Sequence, residues 1–328
     1  MHPTTGPLRP LHIVCTLYTS VAKVIVQLEK QMYGVSPAFI FSRYGKGFGI
    51  SDFSAALKEA ASLGYEGYQG EVFHEERLGE WSTGGARAVH DVATSLGMTM
   101  TQFVAHFMLK YFSRPEHLDA ETGKDSLRRV VEIAKTSDWT EVLTVPMAAL
   151  EVDWNTVSGP NWYADVRKRL HEKLAGFLHI VVDAGLRMAV EILPYSVMGG
   201  MAGFQEVCRV LDSPDFGINL DTGHAWVSGE IVPLLPFLLQ DRIFGVHLSD
   251  NDGTLNKSLA PGRGTIDWVP LLDNLASAGY TGSLDIEIAC EANEVIEAYR
   301  EGKAYLESCL EQCRFYQHTR VTKQQQST

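Results

Sequence analysis

Four side chains of the kinds that bind metal ions stand in apolar segments of the second half of the chain. Glu191 lies in "AVEIL", Asp221 ends "INLD", His247 lies in "GVHLSD" and Glu287 lies in "LDIEI". Taken alone, each has an ordinary explanation as an ion-paired glutamate, a helix N-cap or a hydrogen-bonded core histidine. Together they do not, because several carboxylates buried without compensation cost several kcal/mol each. The set therefore predicts a site for one divalent metal ion per chain.

The composition of this ligand set indicates which ion it would hold. Three carboxylates and one imidazole form an oxygen-rich set, which suits Mn²⁺ first, with Mg²⁺ or Co²⁺ as alternatives, better than a closed thiolate zinc site. Four protein ligands leave room in an octahedral shell for two substrate oxygens. Adjacent oxygens of a sugar would fit there. A small sugar or keto-sugar is one class of substrate that such a shell would accept.

The elements that would position these ligands follow a repeating strand–helix pattern. Eight β-rich runs alternate with amphipathic segments, and glycines such as Gly64 and Gly185 follow helical runs at C′ positions. This rhythm predicts an α/β fold, a single-domain (β/α)₈ TIM barrel. A doubly wound open sheet is less consistent, because no glycine-rich phosphate loop follows the first strand. The predicted strands are 38–45, 65–73, 98–108, 141–147, 187–193, 216–221, 243–250 and 282–288.

The spacing of the four ligand-type residues matches this fold. Successive members of the set are 30, 26 and 40 positions apart, close to one strand–helix unit per step. Each is therefore expected near the carboxyl end of one of the last four strands. Barrel active sites are built at that end, where residues from neighbouring strands converge.

The length of 328 residues and the hydrophobic content of 45% fit one large barrel. We expect the catalytic barrel over residues 36–315, an N-terminal extension over 1–35 and a polar C-terminal tail over 316–328. The apolar run of the extension is interrupted by Lys23 and lacks a basic start and a cleavage site. It therefore predicts neither an export signal nor a membrane span.

Charge and cysteine usage exclude several classes of partner. The formal net charge of −12 and a pI near 5.4 argue against a nucleic acid or an anionic membrane, since both need a basic surface. The five cysteines include no CxxC pair and no paired framework. An odd number of cysteines without a secretory signal predicts reduced thiols and a cytoplasmic location.

Five motifs occur in a fixed order along the chain: "VEILP", "NLDTGH", "VHLSD", "PGRGTIDW" and "DIEI". Over about residues 36–300 this series closely resembles the xylose-isomerase-like TIM-barrel superfamily of sugar phosphate isomerases and epimerases, also called AP endonuclease family 2. The resemblance implies that Glu191, Asp221, His247 and Glu287 are metal ligands. It also implies that the two glutamates are the catalytic acid/base pair.

The same resemblance suggests residues that contact the substrate. His224 matches the histidine of the family's Asp–x–x–His motif, and Arg263 lies in "PGRGTIDW", where members place a substrate-binding residue. His106, near the end of the third predicted strand, and Trp226, after His224, are further candidates, although either could equally be structural. The family's DNA-repair members carry an Asp–x–His pair after the seventh strand. The corresponding loop here has no histidine, so DNA cleavage is not expected.

The predicted function is that of a divalent-metal-dependent sugar isomerase or epimerase that transfers a proton through a cis-enediolate. The alternative is a lyase or dehydratase of the same superfamily, acting by β-elimination on an inosose or a 3-keto-glycoside. C-glycoside deglycosidases of that type work with a small partner subunit. A third hypothesis is a non-catalytic, sugar-binding barrel. We expect a homo-oligomer, with a small partner subunit under the lyase hypothesis.

Overall fold

Eight parallel strands form a barrel in the computed structural model, which describes residues 31–136 and 140–315. Strands β1 to β7 each pair with their neighbours along the chain, and β1 also pairs with β8. A bridge between Leu248 and Ile286 joins the two ends of the sheet, so the predicted (β/α)₈ barrel is confirmed. The strands are β1 Tyr33–Val35, β2 Gly67–Glu71, β3 Thr99–Val104, β4 Val142–Met147, β5 Arg187–Ile192, β6 Phe216–Asp221, β7 Ile243–His247 and β8 Leu284–Ile286.

Helices fill the connections between strands. The labelled α-helices are α1 Ala38–Tyr44, α2 Ile50–Ser62, α3 Ala86–Ser95, α4 Lys124–Lys135, α5 Trp162–Asp183, α6 Gly200–Leu211, α7 Thr222–Val227, α8 Leu235–Leu239, α9 Trp268–Ser277 and α10 Val295–Leu310. Shorter helical turns cover Glu75–Arg77, Leu78–Glu80, Trp81–Gly85, His106–Phe112, Pro115–Leu118, Trp154–Thr156, Val232–Leu234 and Gln240–Arg242. Within the described ranges, no helix is long and apolar enough to cross a membrane.

Helix α4 illustrates why these segments are helical. Four of its five buried residues, Leu127, Val130, Val131 and Ala134, occupy positions i, i+3, i+4 and i+7 of the helix and form one apolar stripe. The rest of the helix carries Lys and Arg side chains toward solvent. Packing of that stripe against the strands stabilises the helix more than its own propensity does.

The prediction for the first strand was wrong. The segment predicted as strand 38–45 instead forms helix α1, Ala38–Tyr44. Strand β1 lies earlier, at Tyr33–Val35. The side-chain hydroxyl of Ser36 accepts a hydrogen bond from the Ala38 N–H at 3.1 Å, and Pro37 stands directly before the helix. Both features favour a helix start, whereas a short apolar run alone fits a strand or a helix equally well. The barrel therefore begins three residues before the predicted boundary.

The other predicted strands overlap the observed ones, and Phe216–Asp221 matches to the residue. The third strand ends at Val104 rather than at 108, because a 3₁₀ helix over His106–Phe112 follows it. Gly64 and Gly185 adopt φ angles of 78° and 79° after their helices, as predicted. Residues 1–30 and 316–328 lie outside the described residues, so the rest of the N-terminal extension and the C-terminal tail stay predictions.

The inside of the barrel is polar near its middle. Gln102 of β3 donates to Asn219 of β6 at 2.8 Å, and Gln69 of β2 donates to Asp285 of β8 at 2.8 Å. These strands are not neighbours in the sheet, so the bonds cross the barrel interior. The apolar core instead lies between the strands and the surrounding helices, where Phe53 and Phe177 are fully buried.

Lys173 of α5 is a fully buried cation outside the barrel interior. Its ammonium group donates to the backbone carbonyls of His117 at 2.8 Å, Asp119 at 3.2 Å and Thr122. Burial lowers the pKa of this lysine to about 8. The side chain thus fixes the segment between the third strand and helix α4 onto α5.

Replacing Lys173 by methionine should lower the free energy of unfolding by about 2 to 4 kcal/mol, because three backbone carbonyls lose their buried charged donor. Urea unfolding would measure the change. Lys168→Met is the matched control, since Lys168 lies on the same helix with its side chain 75% exposed. That control should change stability by less than about 0.5 kcal/mol. Equal effects of the two substitutions would contradict a structural role for Lys173.

Candidate active site

The four predicted ligands converge at the carboxyl ends of four strands. Glu191 lies in β5, Asp221 ends β6, His247 ends β7 and Glu287 directly follows β8. One potential ligand atom from each lies within 4.8 Å of the others. His247 is at the centre: its Nδ1 is 3.0 Å from Glu191 Oε1, 2.9 Å from Glu287 Oε2 and 3.9 Å from Asp221 Oδ2.

The charges of these groups are strongly coupled. Burial alone would lower the pKa of His247, but Glu287 and Glu191 outweigh burial and raise it well above its usual value. Burial alone would raise the pKa of Glu287, but the charge on His247 lowers it to about 2. Burial raises the pKa of Asp221 to about 6, although His224 opposes the shift. The three carboxyl groups therefore favour the charged form of the imidazole.

Asp221 provides the test of whether a cation fits this cluster. Its Oδ1 accepts hydrogen bonds from the backbone N–H of His224 at 2.7 Å and from the hydroxyl of Ser249 at 3.1 Å. Its Oδ2 is buried and has no hydrogen-bond partner among the described residues. Buried polar atoms in native proteins are almost always satisfied. A divalent ion bound by these four residues would satisfy that oxygen, so the residues fit the predicted metal.

His224 lies beside the cluster, and its assignment as a substrate contact stays a prediction. Its Nδ1 is 3.5 Å from Asp221 Oδ2 and 3.6 Å from Glu191 Oε1. The side chain is buried, and this nitrogen lacks a hydrogen-bond partner within the described part of the chain. The position follows from helix α7, which begins right after Asp221 and places His224 in its first turn.

His106 belongs to a second pair on the rim, formed by β2 and β3. Its Nδ1 lies 3.3 Å from Oε1 of the buried Glu71, which ends β2. Its ring stacks on Phe73, with centroids 4.0 Å apart and planes 16° apart. Burial opposes the charged form of His106, but the bond to Glu71 outweighs it and raises the pKa of the imidazole. His106 as a substrate contact remains a prediction.

Residues 57–309 match the family described as "Xylose isomerase-like TIM barrel". The chain belongs to this family. The match covers well over half of the sequence and includes all four residues of the ligand cluster. Membership agrees with the barrel and with the superfamily named from the sequence motifs.

Similar proteins include an uncharacterized protein and proteins named as epimerases. An uncharacterized protein of Methanocaldococcus jannaschii is 26% identical over 200 residues, which cover 57% of this chain but only 64% of that protein. The L-ribulose-5-phosphate 3-epimerase UlaE of Escherichia coli O157:H7 is 22% identical over 245 residues, or 73% of this chain and 82% of that enzyme. A D-tagatose 3-epimerase-like protein of known structure aligns with a TM-score of 0.68 at 20% identity, covering 86% of this chain and 99% of its own. At that identity the structural likeness establishes the fold.

Trp226 and Arg263 make contacts outside the ligand cluster of this xylose isomerase-like barrel. The indole of Trp226 donates to Thr265 Oγ1 at 3.0 Å. Arg263 is exposed and pairs with Glu301 of helix α10 at 2.6 Å. Both side chains therefore have structural partners already. Their assignment as substrate contacts stays a prediction.

The sequence reasoning did not identify Asp250, which anchors the loop that carries Arg263. This fully buried aspartate accepts hydrogen bonds from the backbone of Gly262 at 2.9 Å and of Ile266 at 3.1 Å. It also accepts from the indole of Trp268 at 2.9 Å and from the Asn251 N–H at 2.9 Å. The family motifs "VHLSD" and "PGRGTIDW" are thus physically joined through one carboxylate.

Asp250→Asn should destabilise the protein by about 2 to 5 kcal/mol, because the amide nitrogen would face two buried N–H donors that lose their acceptor. Denaturant unfolding would measure this loss. Asp252→Asn is the control, since Asp252 lies in the same loop but bonds only to its exposed neighbours Thr254, Leu255 and Lys257. The control should have a clearly smaller effect. A similar loss in both variants would show that Asp250 does not anchor the loop.

Proposed function

We propose that this protein is a metal-dependent epimerase or isomerase of a keto-sugar, with Glu191 and Glu287 as its acid/base pair. The observation that carries the proposal is that the two glutamates flank one point. Their oxygens approach the same nitrogen of His247, at 3.0 and 2.9 Å, from strands three apart in the barrel. A substrate bound beside this cluster would therefore have both carboxyl groups within reach.

The cluster would hold one divalent ion through Glu191, Asp221, His247 and Glu287. The oxygen-rich set favours Mn²⁺, with Mg²⁺ or Co²⁺ as alternatives. A bound ion would supply Lewis acidity, which lowers the pKa of the C–H group beside a substrate carbonyl. The unsatisfied Oδ2 of Asp221 supports this assignment.

The proton transfers follow from the placement of the two glutamates. One carboxylate takes the proton from the carbon next to the carbonyl, and the electron pair of that C–H bond forms an enediolate. The other glutamate, protonated, returns a proton to the opposite face of the same carbon, which gives the epimer. Return of the proton to the neighbouring carbon would instead give the aldose–ketose isomer. His224, with a free Nδ1 beside both acids, would donate a hydrogen bond to a substrate oxygen.

The named relatives support this reaction class without fixing the substrate. L-ribulose-5-phosphate 3-epimerase UlaE and the D-tagatose 3-epimerase-like protein both carry names that refer to the carbon next to a ketose carbonyl. Inversion at that carbon requires the proton transfers described above. Their identities of 22% and 20% are too low to transfer the sugar or its phosphorylation state.

Glu191→Gln and Glu287→Gln should each lower turnover by about 10²- to 10⁴-fold, because each removes an acid/base group. Turnover would be measured on a panel of keto-sugars, inososes and 3-keto-glycosides with Mn²⁺ in deuterated water, following deuterium entry beside the carbonyl. Glu141→Gln is the control, since Glu141 is exposed at the opposite end of β4. Near-normal turnover in either site variant would contradict the acid/base assignment. Release of water or an aglycone without epimer would favour the lyase instead.

The purified protein, stripped with a chelator and reloaded, should bind about one divalent ion per chain. Asp221→Ala combined with His247→Ala should abolish that binding, because it removes two of the four ligands. His106→Ala should retain the ion, since it removes an imidazole of the same rim outside the ligand set. Elemental analysis after desalting would measure the ratio. Loss of the ion in the His106 variant, or its retention in the double variant, would contradict the ligand assignment.

A further inference from the structure

The second ring nitrogen of His247 faces away from the ligand cluster, into the barrel. Its Nε2 lies 2.7 Å from Oε1 of Gln69, a residue of β2 on the far side of the interior. The amide nitrogen of Gln69 in turn donates to Asp285 Oδ2 at 2.8 Å. Thr101 donates to the same carboxylate oxygen at 2.7 Å. Gln69 and Asp285 are completely buried.

The directions of these hydrogen bonds determine where the imidazole carries its proton. An aspartate carboxylate accepts hydrogen bonds, so the NH₂ side of the Gln69 amide is turned toward Asp285. The carbonyl side of the same amide then faces His247 and can only accept. Nε2 of His247 therefore carries a proton and donates a hydrogen bond to the Gln69 carbonyl. When the ring is neutral, Nδ1 is left as a lone pair aimed at Glu191, Asp221 and Glu287.

Gly34 makes room for the Asp285 carboxylate. A Cβ atom built on Gly34 of β1 would lie 1.9 Å from Asp285 Oδ1. The absence of a side chain at Gly34 thus makes the space that the carboxylate occupies. Strands β1, β2, β3 and β8 all contribute to holding one acceptor in place.

We propose that Asp285 and Gln69 are positioning residues that fix His247 in its Nε2–H form and thereby prepare Nδ1 to bind the metal ion. The inference rests on the metal site of the proposed function and adds two residues of the barrel interior to it, Gln69 of β2 and Asp285 of β8. Outer hydrogen-bond partners of ligand histidines set ring orientation and tautomer, and their loss typically weakens metal binding. Neither residue touches the substrate in this role.

The chain offers a matched control in Gln102 of β3. Like Gln69 it is a fully buried glutamine of the barrel interior. Its amide donates to Asn219 Oδ1 at 2.8 Å and accepts from Thr144 Oγ1. These bonds do not include any of the four ligands. A substitution of Gln102 therefore costs similar internal hydrogen bonds without touching His247.

The test compares Co²⁺ affinity, by calorimetric and visible-absorption titration, among variants of the full chain. Gln69→Met should weaken Co²⁺ binding by about 10- to 100-fold, whereas Gln102→Met should change it by less than about 3-fold even if both lower thermal stability alike. Gln69→Glu should bind Co²⁺ about as tightly as the wild type, because a protonated glutamate presents a carbonyl to His247 and a donor to Asp285. Asp285→Asn, a near-isosteric change, should weaken binding by at least about 3-fold and serves if Gln69→Met does not fold.

Equal losses in the Gln69→Met and Gln102→Met variants would overturn the inference, since they would reflect general loosening of the barrel. So would wild-type affinity in Gln69→Met or Asp285→Asn. A wild-type protein that binds no Co²⁺ or Mn²⁺ would overturn the metal site itself. Wild-type binding with unaffected variants would overturn only the roles of Gln69 and Asp285.

Discussion

Negative charge is concentrated at the carboxyl ends of the last four strands of this barrel. Three carboxyl groups and one imidazole have potential ligand atoms within 4.8 Å of one another there. Without a metal, the imidazolium of His247 is the positive charge that lets Glu191 and Glu287 approach the same point, at 3.0 and 2.9 Å. Like charges this close in a buried setting otherwise force protonation. A single proton only partly compensates for three acids, and Asp221 keeps a buried oxygen without a hydrogen bond among the described residues. A divalent cation is the simplest group that satisfies all of them at once.

The rest of the structure serves to hold these groups close without letting them relax apart. Asp221 helps to hold the groups together through both of its oxygens, which have separate roles. Oδ1 caps the first turn of helix α7 through the His224 N–H at 2.7 Å, while Oδ2 faces the other ligands. The helix start thus fixes the rotation of the carboxylate, and the carboxylate fixes the helix that carries His224. One aspartate can therefore serve as a helix cap and as a metal ligand, because a different oxygen would fill each role.

Much of this arrangement could be predicted from the sequence because the signals are local or periodic. The ligands stand out as charged residues in apolar strands, one strand–helix unit apart, and parallel strands bring such positions together. The first strand could not be found this way, since Tyr33–Val35 is only three residues long and contains a glycine, while the apolar run after Pro37 is a helix. No local or periodic signal in the sequence indicates the roles of Gln69 and Asp285 either. Their contact joins β2 to β8 across the closed barrel, and no spacing along the chain encodes it.

The two halves of the rim differ in how strongly their side chains are constrained by the ligand cluster. Strands β5 to β8 carry the ligands, and the hydrogen bond from His247 to Gln69 ties those ligands to the interior. The rim above β2 and β3 carries Glu71, His106 and Phe73, and His106 contacts both of the others. Glu71 keeps one buried oxygen without a partner within the described ranges, so this pair retains hydrogen-bonding capacity. Under the proposed function, the four ligands would accept any sugar with adjacent oxygens, so discrimination between sugars would have to come from residues outside the cluster. On that proposal the cluster indicates a reaction class, and the β2–β3 side of the rim is where the substrate would be selected.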